Sequence, residues 1–198
     1  MIITYRIKDS LYVNMTNRCS NRCEFCIRNF GDGIDDSGSL WLDHEPTVDE
    51  VCESIKENIK DCKEIVFCGY GEPMMRLDDL LEVIRRVKPI VKVPFRINTN
   101  GQADLIHGRK TAPELKDLVD TVSISLNAPT AVEYDDICHS DYGEKAFDAL
   151  IEYAKECKKY VSNVVFSVVD CMNKDDIEKC RVIADKAGIK FRVREMIK

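Results

Sequence analysis

Along the chain, short runs rich in Val, Ile and Phe alternate with stretches whose apolar residues fall three and four apart. The first kind are strand patterns: Leu11 to Met15, Glu64 to Cys68, Phe95 to Thr99, Thr121 to Leu126, Val164 to Val169 and Lys190 to Arg194. The second kind predict helices around Val48, Val51, Ile55 and Ile59; Leu77, Leu80, Leu81 and Ile84; Phe147, Leu150 and Ala154; and Ile177, Ile183, Ala184 and Ala187. Thr47 followed by Glu50 predicts a capping box. Pro89 stands just beyond the second helix, and Gly188 where a left-handed stop would close the last. A repeated strand-helix order calls for a parallel sheet with right-handed crossovers.

Several of these strands alternate polar and apolar residues, although a parallel sheet covered on both faces should be apolar throughout. The polar sets are Arg96, Asn98 and Asn100; Ser123, Ser125 and Asn127; and Arg192 and Arg194. One face of the sheet is therefore wet, whereas a filled eight-stranded barrel would pack Val, Ile and Leu inside. The pattern predicts an α/β fold, an incomplete six-stranded parallel β/α barrel with helices outside and an open polar lumen. A doubly wound sheet with polar strand ends is the alternative. With 198 residues, no internal repeat and no Pro/Gly/Ser linker, a single domain over 1–198 is expected.

Composition narrows the function. A net charge of -6 and the lack of a basic stripe argue against nucleic acid as a partner. The N-terminal MIITYRIKDSLYVNM is charged early and lacks a signal-peptide core, and no segment nears membrane-spanning length. A cytoplasmic protein with no membrane partner is expected. In that compartment ten cysteines stay reduced, which points to metal or redox chemistry.

Three of them, Cys19, Cys23 and Cys26, stand in TNRCSNRCEFCIRNF just past the first predicted strand, where parallel α/β folds place their chemistry. A structural zinc would need a fourth Cys or His. Cys52, Cys157 and Cys180 fall on apolar helical positions and read as small buried hydrophobes, and His44, His107 and His139 stand alone. Three thiolates suit a four-iron cubane with one iron left to a non-protein ligand. Cys138 and Cys171 also follow strands. Either can serve as hydrogen-atom donor or second-metal ligand, but inert thiols are the commoner outcome there. Two irregular loops are candidate substrate walls: Arg28 to Pro46, which holds GDGIDDSGSLWLDH and Trp41, and LIHGRK around His107 and Arg109. Arg192 and Arg194 point to one face of the last strand. They are expected to meet a carboxylate or phosphate of the substrate, or the carboxylate of a cofactor.

The spacing Cys19-x3-Cys23-x2-Cys26, with Phe25 before the last cysteine, resembles the signature of the radical S-adenosylmethionine enzymes. The resemblance continues through CGYGEP (Cys68 to Pro73), similar to the family's Gly-Gly-Glu segment; INTNG (Ile97 to Gly101), similar to its third-strand motif; and SISLN and SVV, similar to the later strands that hold ribose and adenine. In finer detail, SLYVNMTNRCSNRCEFCIRNF, NTNG followed by LIHGR, and FRVR resemble the small radical SAM proteins associated with TatD-type hydrolases. This implies a [4Fe-4S] cluster on Cys19, Cys23 and Cys26 and S-adenosyl-L-methionine chelated at the open iron. Reductive cleavage would then give a 5'-deoxyadenosyl radical that abstracts hydrogen from an unidentified small-molecule, peptide or protein substrate. It also implies an electron donor such as flavodoxin or ferredoxin and a functional link to a TatD-type hydrolase. Gly69, Tyr70, Gly71 and Glu72 would meet the methionine end, with Tyr70 standing where the family has Gly. Gly71→Val would then keep the cluster and lose cofactor cleavage. Asn98, Asn100, Ser125, Asn127 and Ser167 would meet the nucleoside, Phe25 would pack on adenine, and Arg192 and Arg194 would meet the methionine carboxylate or the substrate. Alternatives are an activase that installs a glycyl radical on a partner protein, and a non-catalytic iron-sulfur or zinc module.

Overall fold

The computed structural model describes residues 1–31 and 38–196. Seven strands form one sheet: β1 (Thr4–Ile7), β2 (Ser10–Val13), β3 (Glu64–Phe67), β4 (Phe95–Thr99), β5 (Thr121–Ser125), β6 (Asn163–Val169) and β7 (Lys190–Arg194). They lie in the sheet in chain order, and every pair from β2 to β7 is parallel. The six predicted strands are thus the six parallel ones. β1 is an addition, paired antiparallel to β2 through the turn at Lys8 and Asp9, where Lys8 takes φ 52°.

Strand order decides between the two predicted architectures. A doubly wound sheet reverses its order partway and so has helices on both faces. Here each right-handed crossover moves one strand in the same direction, which keeps all helices on one side. The helices are α1 (Val48–Asn58), α2 (Leu77–Val87), α3 (Ala103–His107), α4 (Ala131–Cys138), α5 (Lys145–Cys157) and α6 (Lys174–Ala187). β1 and β7 remain at the two ends, so the sheet is a partial barrel.

The helix-facing side of the sheet is the core. Leu11, Val13, Ile65, Phe67, Phe95, Ile97, Val122, Ile124, Phe166 and Val168 are buried there against Val51, Ile55, Leu80, Ile84, Leu150 and Ala184. Cys52, Cys157 and Cys180 are buried in the same core. The predicted capping box of α1 is present: the Thr47 hydroxyl accepts from Glu50 N–H at 3.3 Å, and Thr47 N–H donates to Glu50 Oε2 at 2.7 Å. Gly188 closes α6 at φ 61°. The pairing register places Tyr12, Val66, Arg96 and Thr121 side by side on the opposite face, with Asn98 beside Ser123 and Ser125 beside Ser167 and Arg192. That is the predicted polar lumen.

Candidate functional site

The cysteine loop leaves β2 at Asn14 and crosses the C-terminal edge of the sheet. Cys19, Cys23 and Cys26 are half-buried there. Two of the sulfurs already receive N–H groups, Cys19 from the Asn21 backbone and Cys26 from Arg28 Nε, both at 3.4 Å. Among the described residues no three Cys, His, Asp or Glu side chains converge on a point that would hold a single ion. A cubane needs no such convergence, because its thiolates bind separate irons, and N–H bonds to sulfur are among the features that tune it. The donor set therefore fits a cluster on three thiolates.

The backbone of the loop is held from three sides. Arg22 and Glu24 donate N–H to the carbonyls of Cys138 and Ile137 at the end of α4, at 2.9 and 3.0 Å. Asp141 N–H reaches Ser20 O at 2.8 Å, and Glu72 N–H reaches Arg18 O at 2.8 Å. Beneath the loop lies a buried polar network that sequence reasoning missed. Gln102, with no exposed surface, donates to Asn21 Oδ1 at 2.8 Å and to the Tyr134 hydroxyl at 3.1 Å. Its carbonyl accepts from Ser20 and Ser140 at 2.9 and 3.2 Å. Asn100 joins by donating to Ser20 Oγ at 2.9 Å and accepting from Gln102 N–H at 3.1 Å. Its amide is occupied in holding the loop, where a ribose contact had been expected. A Gln directly after INTNG was the available signal, but nothing in a sequence says which buried amide will face which.

Cys138 is fully buried beside Cys23. Hydrogen bonding between the two draws Cys23 below the ordinary thiol value and raises Cys138. Burial and the nearby Glu72 carboxylate push Cys19 up to about 12. Cys171 is exposed.

The segment Gly69 to Glu72 leaves β3 beside the cysteine loop, and contact with that loop explains its glycines. A Cβ at Gly71 would lie 2.3 Å from Thr16 O and 2.5 Å from Arg18 O, and one at Gly69 would lie 2.0 Å from Asn14 Oδ1. The expectation that Gly71→Val spares cluster assembly is therefore corrected: the added side chain strikes the backbone that carries Cys19. Tyr70 turns its ring into a small apolar cluster with Tyr5 and Leu40, stacks edge-on to Trp41 at 5.1 Å, and donates its hydroxyl to Gly31 O at 2.7 Å. The Glu72 carboxylate is 4 % exposed and accepts from Asn100 N–H at 2.7 Å, Thr99 Oγ1 at 2.7 Å and Met74 N–H at 3.0 Å. Burial pushes it up to about 7 against the pull of those three donors.

On the inner face, Asn98 Oδ1, Asn127 Oδ1 and Arg96 Nε are buried without a hydrogen-bond partner. Asn127 takes φ 56° at the end of β5 and directs its Nδ2 to Cys138 Sγ at 3.9 Å. Ser125 is half-buried, and Ser167 is buried with its hydroxyl 3.5 Å from Ile124 O. Orphaned buried amide oxygens on this face are what a polar ligand would satisfy. Phe25 packs against the main core. Arg192 is exposed and Arg194 half-buried on β7.

The two expected substrate walls part company. Of the Arg28 to Pro46 loop, residues 32–37 lie outside the described ones; Trp41, beyond them, is partly exposed, with Arg28 5.9 Å from its ring centroid. His107 instead donates to Met74 O at 2.7 Å, and Arg109 pairs with Asp78 and Glu114, both at 3.0 Å. That second loop braces α2 on the outside of the sheet.

The family model described as the Radical SAM superfamily matches residues 13–185. Among curated proteins, the chain is 27% identical over 191 residues to a probable GTP 3',8-cyclase of Thermococcus kodakarensis, covering 94% of this chain and 56% of that one. It is 27% identical to a GTP 3',8-cyclase of Listeria monocytogenes, covering 87% and 49%. The chain thus spans about half the length of these relatives. Among solved structures, a radical SAM methyltransferase from Sphaerobacter thermophilus superposes with a TM-score of 0.65 at 15% identity, over 97% of this chain and 68% of that one. An archaeal TYW1 gives 0.59 at 12% identity, over 94% and 64%. At such identities the structural matches speak for the fold.

Proposed function

The chain belongs to the Radical SAM superfamily, whose members are enzymes that use a [4Fe-4S] cluster and S-adenosylmethionine, and from that premise we propose that it generates a 5'-deoxyadenosyl radical and takes a hydrogen atom from a substrate at its polar inner face. The observation that carries this reading is the three-cysteine loop locked to Glu72, Gln102 and α4 at the C-terminal edge of the sheet. When bound, cluster and cofactor supply the electron and the radical.

The chain's own residues do the rest. Cys19, Cys23 and Cys26 hold three irons. The backbone from Gly69 to Glu72, fixed by the Asn14 amide and the buried Glu72 carboxylate, faces the methionine end. Asn98 and Asn127 offer their unpartnered carbonyl oxygens, and Ser125 and Ser167 their hydroxyls, to the nucleoside. Tyr70, packed with Tyr5 and Leu40 and edge-on to Trp41, anchors the Gly69 to Glu72 segment from its other side. The reductant is taken to be a flavodoxin or ferredoxin, the compartment the cytoplasm, and the finer kinship that of the TatD-associated group. The substrate of the cyclase relatives is not carried over, since this chain matches only about half of each.

The test is anaerobic reconstitution followed by reductant and S-adenosylmethionine. The parent is expected to release 5'-deoxyadenosine, and Cys19→Ala, Cys23→Ala and Cys26→Ala to release none. A fully loaded, reduced protein that leaves S-adenosylmethionine intact would refute the proposal.

A further inference from the structure

Three arginines share the inner face. Arg96 sits near the start of β4, and Arg192 and Arg194 on β7, with Arg192 in register with Ser167 and Arg194 with Val169. Among the described residues only Arg96 has an acidic partner, Glu64 Oε1 at 2.9 Å, and Glu64 is further occupied by the Ser10 hydroxyl at 2.7 Å. Arg96 also points one NH2 at the Tyr12 hydroxyl, at 3.4 Å, while its Nε has no partner. Among the described residues no carboxylate pairs with Arg192 or Arg194. Glu72, the other buried acid near the lumen, is held by Thr99, Asn100 and Met74.

Among the described residues the inner face therefore sets three guanidiniums against one paired carboxylate. Partial burial, followed by the charges of Arg96 and Arg194, lowers the proton affinity of Arg192, while Tyr12 and Glu64 partly offset this. By register Tyr12, Glu64, Arg96, Arg192 and Arg194 all lie on this inner face, with Arg96 in contact with both Tyr12 and Glu64. Arg96 is largely buried, Arg194 half-buried and Arg192 open to solvent, so this positive charge is left to an anion that can reach it from the lumen. Residues two apart on a strand face the same way with Cα atoms about 6.6 Å apart, so Arg192 and Arg194 can grip different oxygens of one ligand. The planar fork of each suits a phosphoryl or carboxylate group.

We propose that Arg96, Arg192 and Arg194 form a binding site for a multiply charged anionic group, phosphoryl or carboxylate, of the substrate. Describing the ligand as substrate rests on the radical-enzyme reading above; the anion site itself does not. The reconstituted protein is dialysed to equilibrium against labelled pyrophosphate in one arm and citrate in the other, which distinguishes the two chemistries. Saturable binding of one of them is expected, weakened at least tenfold in Arg192→Gln and Arg194→Gln, less in Arg192→Lys, and unchanged in Lys155→Gln on the outer helices. Iron content and urea midpoint should match the parent in each, and saturating S-adenosylmethionine should leave the anion bound.

Absence of saturable binding of either anion, equal binding by the glutamine variants, or displacement by S-adenosylmethionine would overturn the site. If anion binding depends on the arginines but no 5'-deoxyadenosine forms, the radical-enzyme reading fails and the site stands. If 5'-deoxyadenosine forms but neither anion binds, the site fails and the radical-enzyme reading stands.

Discussion

Glu72 ties the site together at the scale of single residues. Its backbone N–H holds the cysteine loop, and its carboxylate collects donors from the β4 edge and from its own turn. Because burial raises it to about 7 in the folded chain, against roughly 4.3 when unfolded, the folded state keeps its proton longer as pH rises. Its contribution is then complete below about pH 4.3 and is lost progressively up to about pH 7. Glu72→Gln cannot titrate, so the parent's advantage in urea midpoint over this variant should shrink across that window and then level off. An advantage that grows with pH would mean the three donors outweigh burial. Little of this was legible beforehand. Alternation marked Asn98 and Asn127 as polar positions of the wet face, and the resemblance marked Glu72, but whether a buried amide serves a ligand or a neighbouring loop depends on contacts dozens of residues away. Asn100, occupied by Ser20 and Gln102, shows the limit.

Among the elements, those with a long repeat of apolar positions or a cap were readable. The α1 box at Thr47 and Glu50 and the Gly188 stop of α6 came through as expected. β1, α3 and α4 did not. β1 has four residues and a Lys8-Asp9 turn in place of the usual Asn-Gly, and α3 has five residues, too few for a helical period to register. α4 did carry a signal, since Thr130 and Glu133 repeat the spacing of Thr47 and Glu50 and the Thr130 hydroxyl does accept from Glu133 N–H at 3.3 Å. These two caps should have different consequences. Thr47→Ala removes an exposed cap of α1, a helix that holds no backbone group of the cysteine loop, and should cost about 1 kcal/mol of stability with iron content unchanged. Thr130→Ala should cost about as much by the same mechanism, yet also lower iron retention, because the far end of α4 holds Arg22 and Glu24 of the cysteine loop. Equal iron loss in both, measured beside their urea midpoints, would show that the α4 clamp has no special part.

Over the whole molecule, one rule links fold to site. Strands laid down in chain order with right-handed crossovers place every helix on one face, leaving the other to polar side chains and the C-terminal edge to the loops. The alternation in β4, β5 and β7 announced that division, and the six parallel strands follow it. No helix among the described residues is long and apolar enough to cross a membrane. The central claim is that Cys19, Cys23 and Cys26 alone hold a cluster with one iron open to S-adenosylmethionine. Electron paramagnetic resonance of the anaerobically reconstituted, reduced protein, recorded with and without S-adenosylmethionine, tests it most directly. The account predicts about four irons per chain, a signal that shifts when S-adenosylmethionine is added, and loss of both iron and signal on replacing any of the three cysteines by Ala. A signal indifferent to S-adenosylmethionine, or a triple alanine variant that keeps its iron, would contradict it.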